Sequence, residues 1–354
     1  RPPDDLATII YTSGTTGEPK GVMHSANTVM ANIVPYAERL HLFQGDVVLM
    51  ASPMAHQTGF MYGLMMPIML RASVVLLDVW EPKRAVELIR SENVSFTMAS
   101  TPFLTDLTRT VQEAGAGVPS LKTFLCAGAP IPGALVEQAR KVLGTKIVSA
   151  WGMTENGAVT TILPEDDDER AFTTDGCALR GVEVKVIDET GRSLAPGESG
   201  RLVVRACSNF GGYLKRPQWN ATDADGWFDT GDLARMDQQG YIRISGRSKD
   251  VIIRGGENIP VFEVEALLYK HPAVAQVAIV AYPDERLGER ACAIVVPKAG
   301  QSLDFEGMLD FLKAQKLALQ YMPERLIVRD AMPATPSGKI QKFKLREMVR
   351  DGLL

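Results

Sequence analysis

Short apolar runs alternate with amphipathic stretches along residues 6–155. Few folds are compatible with this pattern. Six runs have the length and composition of buried strands: LATIIYTS, DVVLMAS, SVVLLD, VSFTMAS, LKTFLCAG and KIVSAWG. Helix-like segments lie between them, at Asn27–Leu40, Pro82–Asn93, Thr101–Glu113 and Gly133–Leu143. Strands and helices that alternate through short links predict an α/β domain in which a mostly parallel sheet carries helices on both faces.

The sequence changes character after the acidic loop at Asp166–Asp168. Short strands broken by glycine and aspartate follow, among them GVEVKVID, SGRLVVRA and GYIRISG, and they predict a small antiparallel β subdomain. From Arg247 onward, the strands VAQVAIVAY and RACAIVVP alternate with helical segments and predict a compact α+β domain. We therefore predict three domains: a partial α/β domain at residues 1–165, the β subdomain at 166–246 and the α+β domain at 247–354.

Composition excludes several classes of protein. The 354 residues include 38 Lys+Arg and 42 Asp+Glu, a net charge of −4, so the basic excess needed for sequence-independent nucleic-acid binding is absent. The longest apolar stretch, Gly59–Leu70, is shorter than the roughly 20 residues that cross a bilayer, which predicts no integral membrane association. Four scattered cysteines favour neither zinc nor disulfides and predict a cytoplasmic protein. Because the chain begins at Arg1 without a leader, we expect an upstream part to be missing.

A loop rich in glycine and hydroxyl residues, YTSGTTGEPKG at 11–21, leaves the first predicted strand and precedes a predicted helix. Glycines let backbone N–H groups approach an anion, hydroxyls donate further hydrogen bonds, and the lysine supplies a point charge for a polyphosphate. The segment is not a P-loop, because proline precedes Lys20 and no Ser or Thr follows it. It predicts a phosphate-binding loop, with a flexible turn as the alternative.

This loop resembles the signature of the acyl-activating adenylate-forming superfamily, which contains acyl-CoA synthetases, peptide-synthetase adenylation domains and firefly luciferase. Four later segments resemble the other family motifs in the same order: AWGMTE at 150–155, DGWFDTGD at 225–232, GRSKD with RGGENI at 246–259, and PATPSGKIQK at 333–342. Five ordered matches along almost the whole chain are far more specific than one. Members normally carry a further α/β subdomain before the first motif, which implies that an N-terminal part is missing and that this chain alone is weakly active.

The resemblance implies a two-step reaction that uses ATP, Mg²⁺ and CoA. A carboxylate first attacks the α-phosphate of ATP to give an acyl-adenylate and pyrophosphate, and a thiol then takes the acyl group while AMP leaves. The small-molecule carboxylic acid, ATP and CoA are the expected partners. The resemblance assigns the following residues to ATP: Thr12, Ser13, Gly14, Thr15, Thr16, Gly17, Lys20, Gly128, Ala129, Pro130, Trp151, Asp232 and Arg247.

Four residues carry the catalytic roles that the resemblance implies. Lys339 would enter the site from a mobile C-terminal domain and bridge the substrate carboxylate and the α-phosphate. Glu155 would hold Mg²⁺, which prefers one or two carboxylates plus phosphate oxygens, and Thr154 would donate to the α-phosphate. His56 would lie near the reacting carboxylate. Without the motifs, Lys339 is a solvated loop lysine, the Thr-Glu pair marks a helix N-terminus, and His56 caps or fills a turn.

Asp232 would accept from both ribose hydroxyls, and Arg247 would add a ribose or phosphate contact. Their alternatives are a turn aspartate and a surface ion pair. Lys249 occupies the hinge position of the family. The resemblance assigns four residues to a CoA-facing loop, for which the alternative is a simple β-turn: Gly255, Gly256, Glu257 and Asn258.

The predicted acyl pocket contains no lysine or arginine that could neutralise a second carboxylate, so a monocarboxylic apolar acid is expected. Its residues are His56, Gly59, Phe60, Met65, Gly128, Gly152 and Met153. The segments FEVE at 262–265, DERLGER at 284–290 and GKIQK at 338–342 resemble those of short- and medium-chain fatty-acyl-CoA synthetases and cyclohexanecarboxylate-CoA ligases. An adenylation domain that loads a carrier protein, a luciferase-like oxygenase and a nucleotide-binding fragment without turnover stay open, as does the oligomeric state, a homodimer included.

Overall fold

The computed structural model describes residues 2–13, 19–128, 131–335 and 340–353. This part of the chain forms two compact units. The first unit extends to residue 230 and includes residues 235–244, whereas the second consists of residues 231–234 and the chain from residue 245 onward. Our division into three domains at residues 165 and 246 stays a prediction.

The first unit contains the strands of a large sheet, a two-stranded sheet and most of a small sheet. Their bounds are β1 Leu6–Ser13, β2 Pro19–Ser25, β3 Val47–Met50, β4 Ser73–Leu76, β5 Phe96–Ala99, β6 Thr123–Ala127, β7 Lys146–Met153, β8 Gly157–Thr161, β9 Cys177–Ala178, β10 Val182–Ile187, β11 Ser199–Ala206, β12 Phe228–Met236 and β13 Ile242–Arg247. The last two strands continue into residues of the second unit.

Helices connect the strands of the large sheet. Their bounds are α1 Ala26–Arg39, α2 Gln57–Phe60, α3 Met66–Leu70, α4 Pro82–Ser91, α5 Thr101–Ala114, α6 Gly133–Leu143 and α7 Arg170–Thr173, with a π-helical turn at Met61–Met65 and a 3₁₀ turn at Pro217–Trp219. In the described part of the chain, no helix combines the length and the apolar character needed to cross a bilayer.

The large sheet has the strand order β4-β3-β5-β6-β7-β8-β9. Neighbouring strands from β4 to β7 run parallel, and β8 and β9 add an antiparallel edge. Five of the six predicted strands lie in the parallel part, where residues such as Phe96, Phe124, Leu125 and Ile147 are fully buried. Strands covered on both faces read as continuous apolar runs, and the predicted α/β fold class is confirmed.

The first predicted strand does not join this sheet. β1 instead pairs antiparallel with β2, which we did not predict, and Thr12 lies opposite Lys20. The phosphate motif therefore leads from one strand to another, and the expectation of a strand-to-helix connection was wrong. The reason is the length of the link: only residues 14–18 separate the two strands, whereas a parallel partner needs a crossover of about a dozen residues.

The second unit has its own sheet, with the order β15-β14-β17-β16 and β18 parallel to β17. The bounds are β14 Ile252–Arg254, β15 Glu257–Ile259, β16 Val274–Asp284, β17 Gly288–Pro297, β18 Arg325–Val328, α8 Val261–Leu268, α9 Phe305–Ala314 and α10 Lys342–Arg350, with 3₁₀ turns at Ser248–Asp250 and Leu319–Tyr321. Alternate residues of β16 and β17 pack with α8 and α9 in one cluster and with α10 in another, so the helices cover both faces.

Candidate active site

The turn between β7 and β8 carries Thr154 and Glu155. It is a tight connection between antiparallel strands, so the alternative of a helix N-terminus does not apply here. Gly157 ends the turn with a φ of +74°, and a Cβ at this position would lie 2.3 Å from Cγ of Asn32. A Cβ on Gly152 would lie 2.1 Å from the carbonyl oxygen of Gly157. Both glycines are therefore needed for the close approach of the backbone at this turn.

A fully buried histidine of β2 supports the turn from one side. Nε2 of His24 lies 2.8 Å from the carbonyl oxygen of Thr154, and Nδ1 lies 3.0 Å from Oγ1 of Thr28. Because a carbonyl oxygen only accepts, Nε2 is the nitrogen that carries the proton. Burial lowers the pKa of His24, which favours this neutral ring.

Two buried side chains support the turn from α1 and from the π-helical turn. Nδ2 of Asn32 donates to the carbonyl oxygens of Asn156 and Ala158, at 3.1 and 2.8 Å. The hydroxyl of Tyr62 donates to Oδ1 of Asn32 at 2.6 Å and accepts from the backbone N–H of Ala158 at 2.7 Å. The position of Thr154 and Glu155 is thus fixed by side chains from three separate elements.

The carboxylate of Glu155 is buried, with the residue 6% exposed. Its Oε1 accepts a hydrogen bond of 2.6 Å from the hydroxyl of Tyr213, and its backbone carbonyl accepts from the N–H of Phe210 at 2.7 Å. Burial, and then the nearby charge of Glu155, raise the pKa of Tyr213 far above its ordinary value. The phenol therefore stays protonated and acts as the donor in this pair.

Lys20 of the phosphate motif contacts the same tyrosine through its ring. Its Nζ lies 4.8 Å from the ring centroid of Tyr213 and 5.3 Å from that of Trp219, both within the range of cation–π contacts. The structure therefore brings Lys20 and Glu155, which come from two different motifs, to one aromatic cluster. Sequence reasoning missed Tyr213 and Trp219; the signal was a glycine pair at 211–212 followed by two aromatic residues among basic ones.

The donor set around Glu155 fits Mg²⁺ shared with a nucleotide. In the residues that the structure describes, no group of three or more His, Cys, Asp or Glu side chains forms a metal site. Mg²⁺ rarely uses such a cage, because it keeps several waters and binds one or two carboxylates together with substrate phosphates. A single buried carboxylate near the phosphate-motif lysine matches that pattern.

In the second unit, the two predicted ribose-binding residues are in contact. Nε of Arg247 donates to Oδ1 of Asp232 at 3.0 Å, and Asp232 is buried. This is an ion pair between the two candidates, with the aspartate away from solvent. Their contacts to ribose stay predictions.

The predicted acyl-pocket residues divide between two apolar clusters. Phe60 and Met65 pack against the main core, whereas Met153 packs with the cluster that contains Tyr213. His56 is exposed and caps α2, with Nδ1 accepting from the N–H of Thr58 at 3.2 Å, which is the capping alternative. The role of these residues around a substrate stays a prediction.

Other site predictions concern main-chain geometry. A Cβ on Gly59 would lie 2.2 Å from the carbonyl oxygen of Pro53, so this glycine is needed for packing. Gly128 follows β6 with a φ of +91°, and Trp151 is half-buried in β7. The remaining predictions lie outside the described residues: Gly14, Thr15, Thr16, Gly17, Ala129, Pro130, Lys339 and the side chain of Ser13.

The predicted CoA-facing loop is a hairpin turn between β14 and β15. Gly255 and Gly256 have φ values of +62° and +90°, the conformation of a two-residue turn that favours glycine at both positions. Glu257 and Asn258 are exposed in β15, and Lys249 is exposed in the 3₁₀ turn at Ser248–Asp250. The β-turn alternative describes the conformation of this segment, and its contact with CoA and the hinge role of Lys249 stay predictions.

The fold and these motifs are those of adenylate-forming enzymes. Comparison with known proteins supports this class. Residues 1–214 match the model for AMP-binding enzymes, and residues 263–339 match that for the C-terminal domain of AMP-binding enzymes. The chain belongs to the AMP-binding enzyme family, so the resemblance stated from its motifs is confirmed.

Individual relatives agree with this assignment. The medium-chain fatty-acid–CoA ligase of Escherichia coli (strain K12) is 41% identical over 347 residues, which are 97% of this chain and 61% of that protein. ATP-bound MatB from Rhodopseudomonas palustris superposes with a TM-score of 0.92 at 31% identity, covering 100% of this chain and 70% of that one. MenE, the o-succinylbenzoate coenzyme A synthetase from Bacillus subtilis, in complex with ATP and a magnesium ion, gives 0.87 at 30% identity, covering 98% and 70%. The chain spans about three fifths of the length of the curated relatives it matches.

Proposed function

We propose that the chain performs the chemistry of an AMP-forming carboxylic acid:CoA ligase. The observation that carries this proposal is the cluster in which Lys20 and Glu155 contact the ring and the hydroxyl of Tyr213. Binding of a nucleoside triphosphate with Mg²⁺ requires a cation for the phosphate oxygens and a carboxylate for the divalent ion. Membership of the AMP-binding enzyme family supports the same reading.

In the first proposed step, a carboxylate oxygen of the acid attacks the α-phosphorus of ATP. The bond from this phosphorus to the oxygen that bridges to the β-phosphate breaks, and pyrophosphate leaves. Lys20 would stabilise the charge on the leaving phosphates, and Thr154 would donate to the α-phosphate. Glu155 would hold Mg²⁺, which neutralises phosphate charge when bound. Lys339, outside the described residues, would bridge the carboxylate and the α-phosphate.

In the second proposed step, the CoA thiol loses its proton to solvent and its sulfur forms a bond to the carbonyl carbon of the acyl-adenylate. The bond between this carbon and the phosphate oxygen of AMP breaks, and AMP leaves with that oxygen on its phosphate. We propose that the hairpin turn at Gly255 and Gly256 faces the thiol arm, since glycine permits close approach of a ligand to the backbone, and that Lys249 is the hinge. Asp232 and Arg247 would bind the ribose.

We propose a short- or medium-chain fatty acid, or an alicyclic monocarboxylic acid, as the substrate. The E. coli relative is named a medium-chain fatty-acid–CoA ligase, which supports the fatty-acid part of this proposal. The apolar side chains of Phe60, Met65 and Met153 support an apolar acid, because none could neutralise a second carboxylate. Four free thiols agree with a cytoplasmic location.

The test is acid-dependent ATP–pyrophosphate exchange with straight-chain acids of increasing length and with ring acids, followed by CoA-dependent release of AMP. We expect exchange with an apolar monocarboxylic acid and its loss in Glu155→Gln. Glu183→Gln is the matched control, because Glu183 is an exposed carboxylate paired with Arg205 in the same unit. Absence of exchange with every acid would contradict the proposal. Acyl transfer to a carrier protein but not to CoA would replace CoA ligation with carrier loading.

A further inference from the structure

Tyr213 belongs to none of the motifs that the sequence identifies, yet two of those motifs meet on it. Its hydroxyl donates to Glu155 at 2.6 Å, and its ring centroid lies 4.8 Å from Nζ of Lys20. The residue is 5% exposed. One side chain therefore contacts both a carboxylate suited to a divalent cation and a lysine suited to phosphate.

The backbone of Tyr213 is fixed to the strand that carries Lys20. Residues 211–214 lie antiparallel to β2, with Tyr213 paired to Val22. The N–H of Gly211 donates to the carbonyl of Met23 at 2.8 Å, and the N–H of Leu214 donates to that of Gly21 at 2.8 Å. Because side chains alternate along a strand, Lys20 and Val22 share one face, which places the tyrosine ring beneath the lysine.

The ring is also held by packing. Its centroid lies 4.8 Å from that of Phe210, which in turn lies 5.3 Å from Phe228. The backbone N–H of Tyr213 donates to Oδ1 of Asn220 at 3.0 Å. These contacts leave the hydroxyl directed at Glu155, so the hydrogen bond needs little further ordering.

This hydrogen bond determines how the carboxylate of Glu155 can bind a cation. Oε1 accepts from the tyrosine, and no other donor among the described residues contacts this carboxylate. Oε2 is then the carboxylate oxygen that takes no part in this hydrogen bond. Partners that orient a metal-binding carboxylate in this way affect metal affinity without touching the metal.

We propose that Tyr213 is a positioning residue for the nucleotide. Its hydroxyl orients Glu155 so that Oε2 faces a Mg²⁺ ion on the ATP phosphates, and its ring positions the ammonium of Lys20. This inference rests on the proposed function, because it needs ATP and Mg²⁺ to bind in this cluster.

The experiment measures the dissociation constant of ATP by calorimetry over a series of Mg²⁺ concentrations. Tyr213→Phe keeps the ring and removes the hydroxyl, so we expect the Mg²⁺ concentration for half-maximal tightening to rise about tenfold while Mg²⁺-free ATP binding is unchanged. Tyr213→Leu also removes the ring and should weaken Mg²⁺-free binding as well. In a Glu155→Gln background, Tyr213→Phe should have no further effect.

Tyr241→Phe is the matched control. Tyr241 is a buried tyrosine of the same unit whose hydroxyl also donates to a carboxylate, that of Asp166, at 2.8 Å. We expect this variant to bind ATP and Mg²⁺ like the unmodified chain. Magnesium-dependent binding that is equal in the unmodified chain and in Tyr213→Phe would overturn the inference alone. Absence of ATP binding by the unmodified chain at every Mg²⁺ concentration would overturn the proposed function and the inference together.

Discussion

Two tyrosines of the first unit have nearly the same surroundings. Tyr213 and Tyr241 are 5% and 8% exposed, and each hydroxyl donates to a carboxylate while a cation lies over the ring. At Tyr213 the cation is Lys20 and the carboxylate is Glu155, and both belong to motifs that resemble nucleotide-binding segments. The local chemistry of a carboxylate, a phenol and a cation therefore does not by itself mark a functional site.

The carboxylates beside the two tyrosines differ in how many of their oxygens accept hydrogen bonds from the described residues. Both carboxylate oxygens of Asp166 accept from the hydroxyl, at 2.9 and 2.8 Å, and Oδ2 also accepts from the N–H of Leu163 at 2.7 Å. Arg170, whose Cζ lies 4.2 Å from the ring centroid, donates to Asp237 at 3.0 Å. Both oxygens of Asp166 accept hydrogen bonds, whereas Tyr213 donates to only one oxygen of Glu155. The difference separates a structural cluster from one that can bind a ligand.

The largest expected effect concerns the two carboxylates. Glu155→Gln removes the charge that we assign to Mg²⁺ binding, so acid-dependent ATP–pyrophosphate exchange should fall by about 10² or more. Asp166→Asn removes the corresponding charge beside Tyr241 and should leave the exchange rate within about twofold after correction for folded protein. Equal losses in the two variants would remove the distinction between the clusters.

Two glycines provide a comparison of stability. Gly157 is the first residue of β8 and Gly240 directly precedes Tyr241, and their φ values are +74° and +83°. A Cβ would lie 2.3 Å from Cγ of Asn32 at the first position, whereas it meets nothing within 4 Å at the second. Gly240→Ala should lower the free energy of unfolding by about 1 kcal/mol, and Gly157→Ala by about 3 kcal/mol, in denaturant titrations. A loss of unfolding free energy in Gly157→Ala that is no larger than in Gly240→Ala would show that Asn32 does not restrict the turn.

The two hydroxyls should contribute similarly to stability despite their different roles. Tyr213→Phe and Tyr241→Phe each remove a buried hydrogen bond to a carboxylate, so each should lower the free energy of unfolding by about 1–3 kcal/mol. The variants should therefore have similar denaturation midpoints while only Tyr213→Phe changes the dependence on Mg²⁺. A change in Mg²⁺ dependence that scales with lost stability would assign both tyrosines a structural role.

The smallest expected effect is a dependence of stability on pH. Burial lowers the pKa of His24 in the folded state. As pH falls below about 6.5, the unfolded chain therefore binds more protons than the folded chain. The contribution of the neutral ring to the free energy of unfolding is fully present above that pH. It is lost as pH falls toward the pKa of His24 in the folded state. His24→Gln should reduce the slope of unfolding free energy against pH between about 5 and 7. His271→Gln is the comparison, since burial also lowers the pKa of His271, in the second unit. An unchanged slope in His24→Gln would contradict this reading of the buried ring.

The sequence predicts the parallel part of the sheet well, because strands buried on both faces appear as continuous apolar runs such as LKTFLCAG. It misplaces LATIIYTS, because an apolar run gives the strand but not its partner. It misses β2 since PKGVMHS resembles a loop at its start. Lys20 and Glu155 are found because they lie in ordered motifs, whereas Tyr213, His24 and Asn32 act through contacts between distant segments that no local pattern encodes.

The central claim is that Lys20 and Glu155 form one nucleotide site around Tyr213. Its most direct test is the dissociation constant of ATP with and without Mg²⁺, for the unmodified chain and for Glu155→Gln. We predict that Mg²⁺ tightens ATP binding by the unmodified chain and has little effect on Glu155→Gln, with similar Mg²⁺-free affinities. Equal tightening of ATP binding by Mg²⁺ in both proteins would contradict the claim.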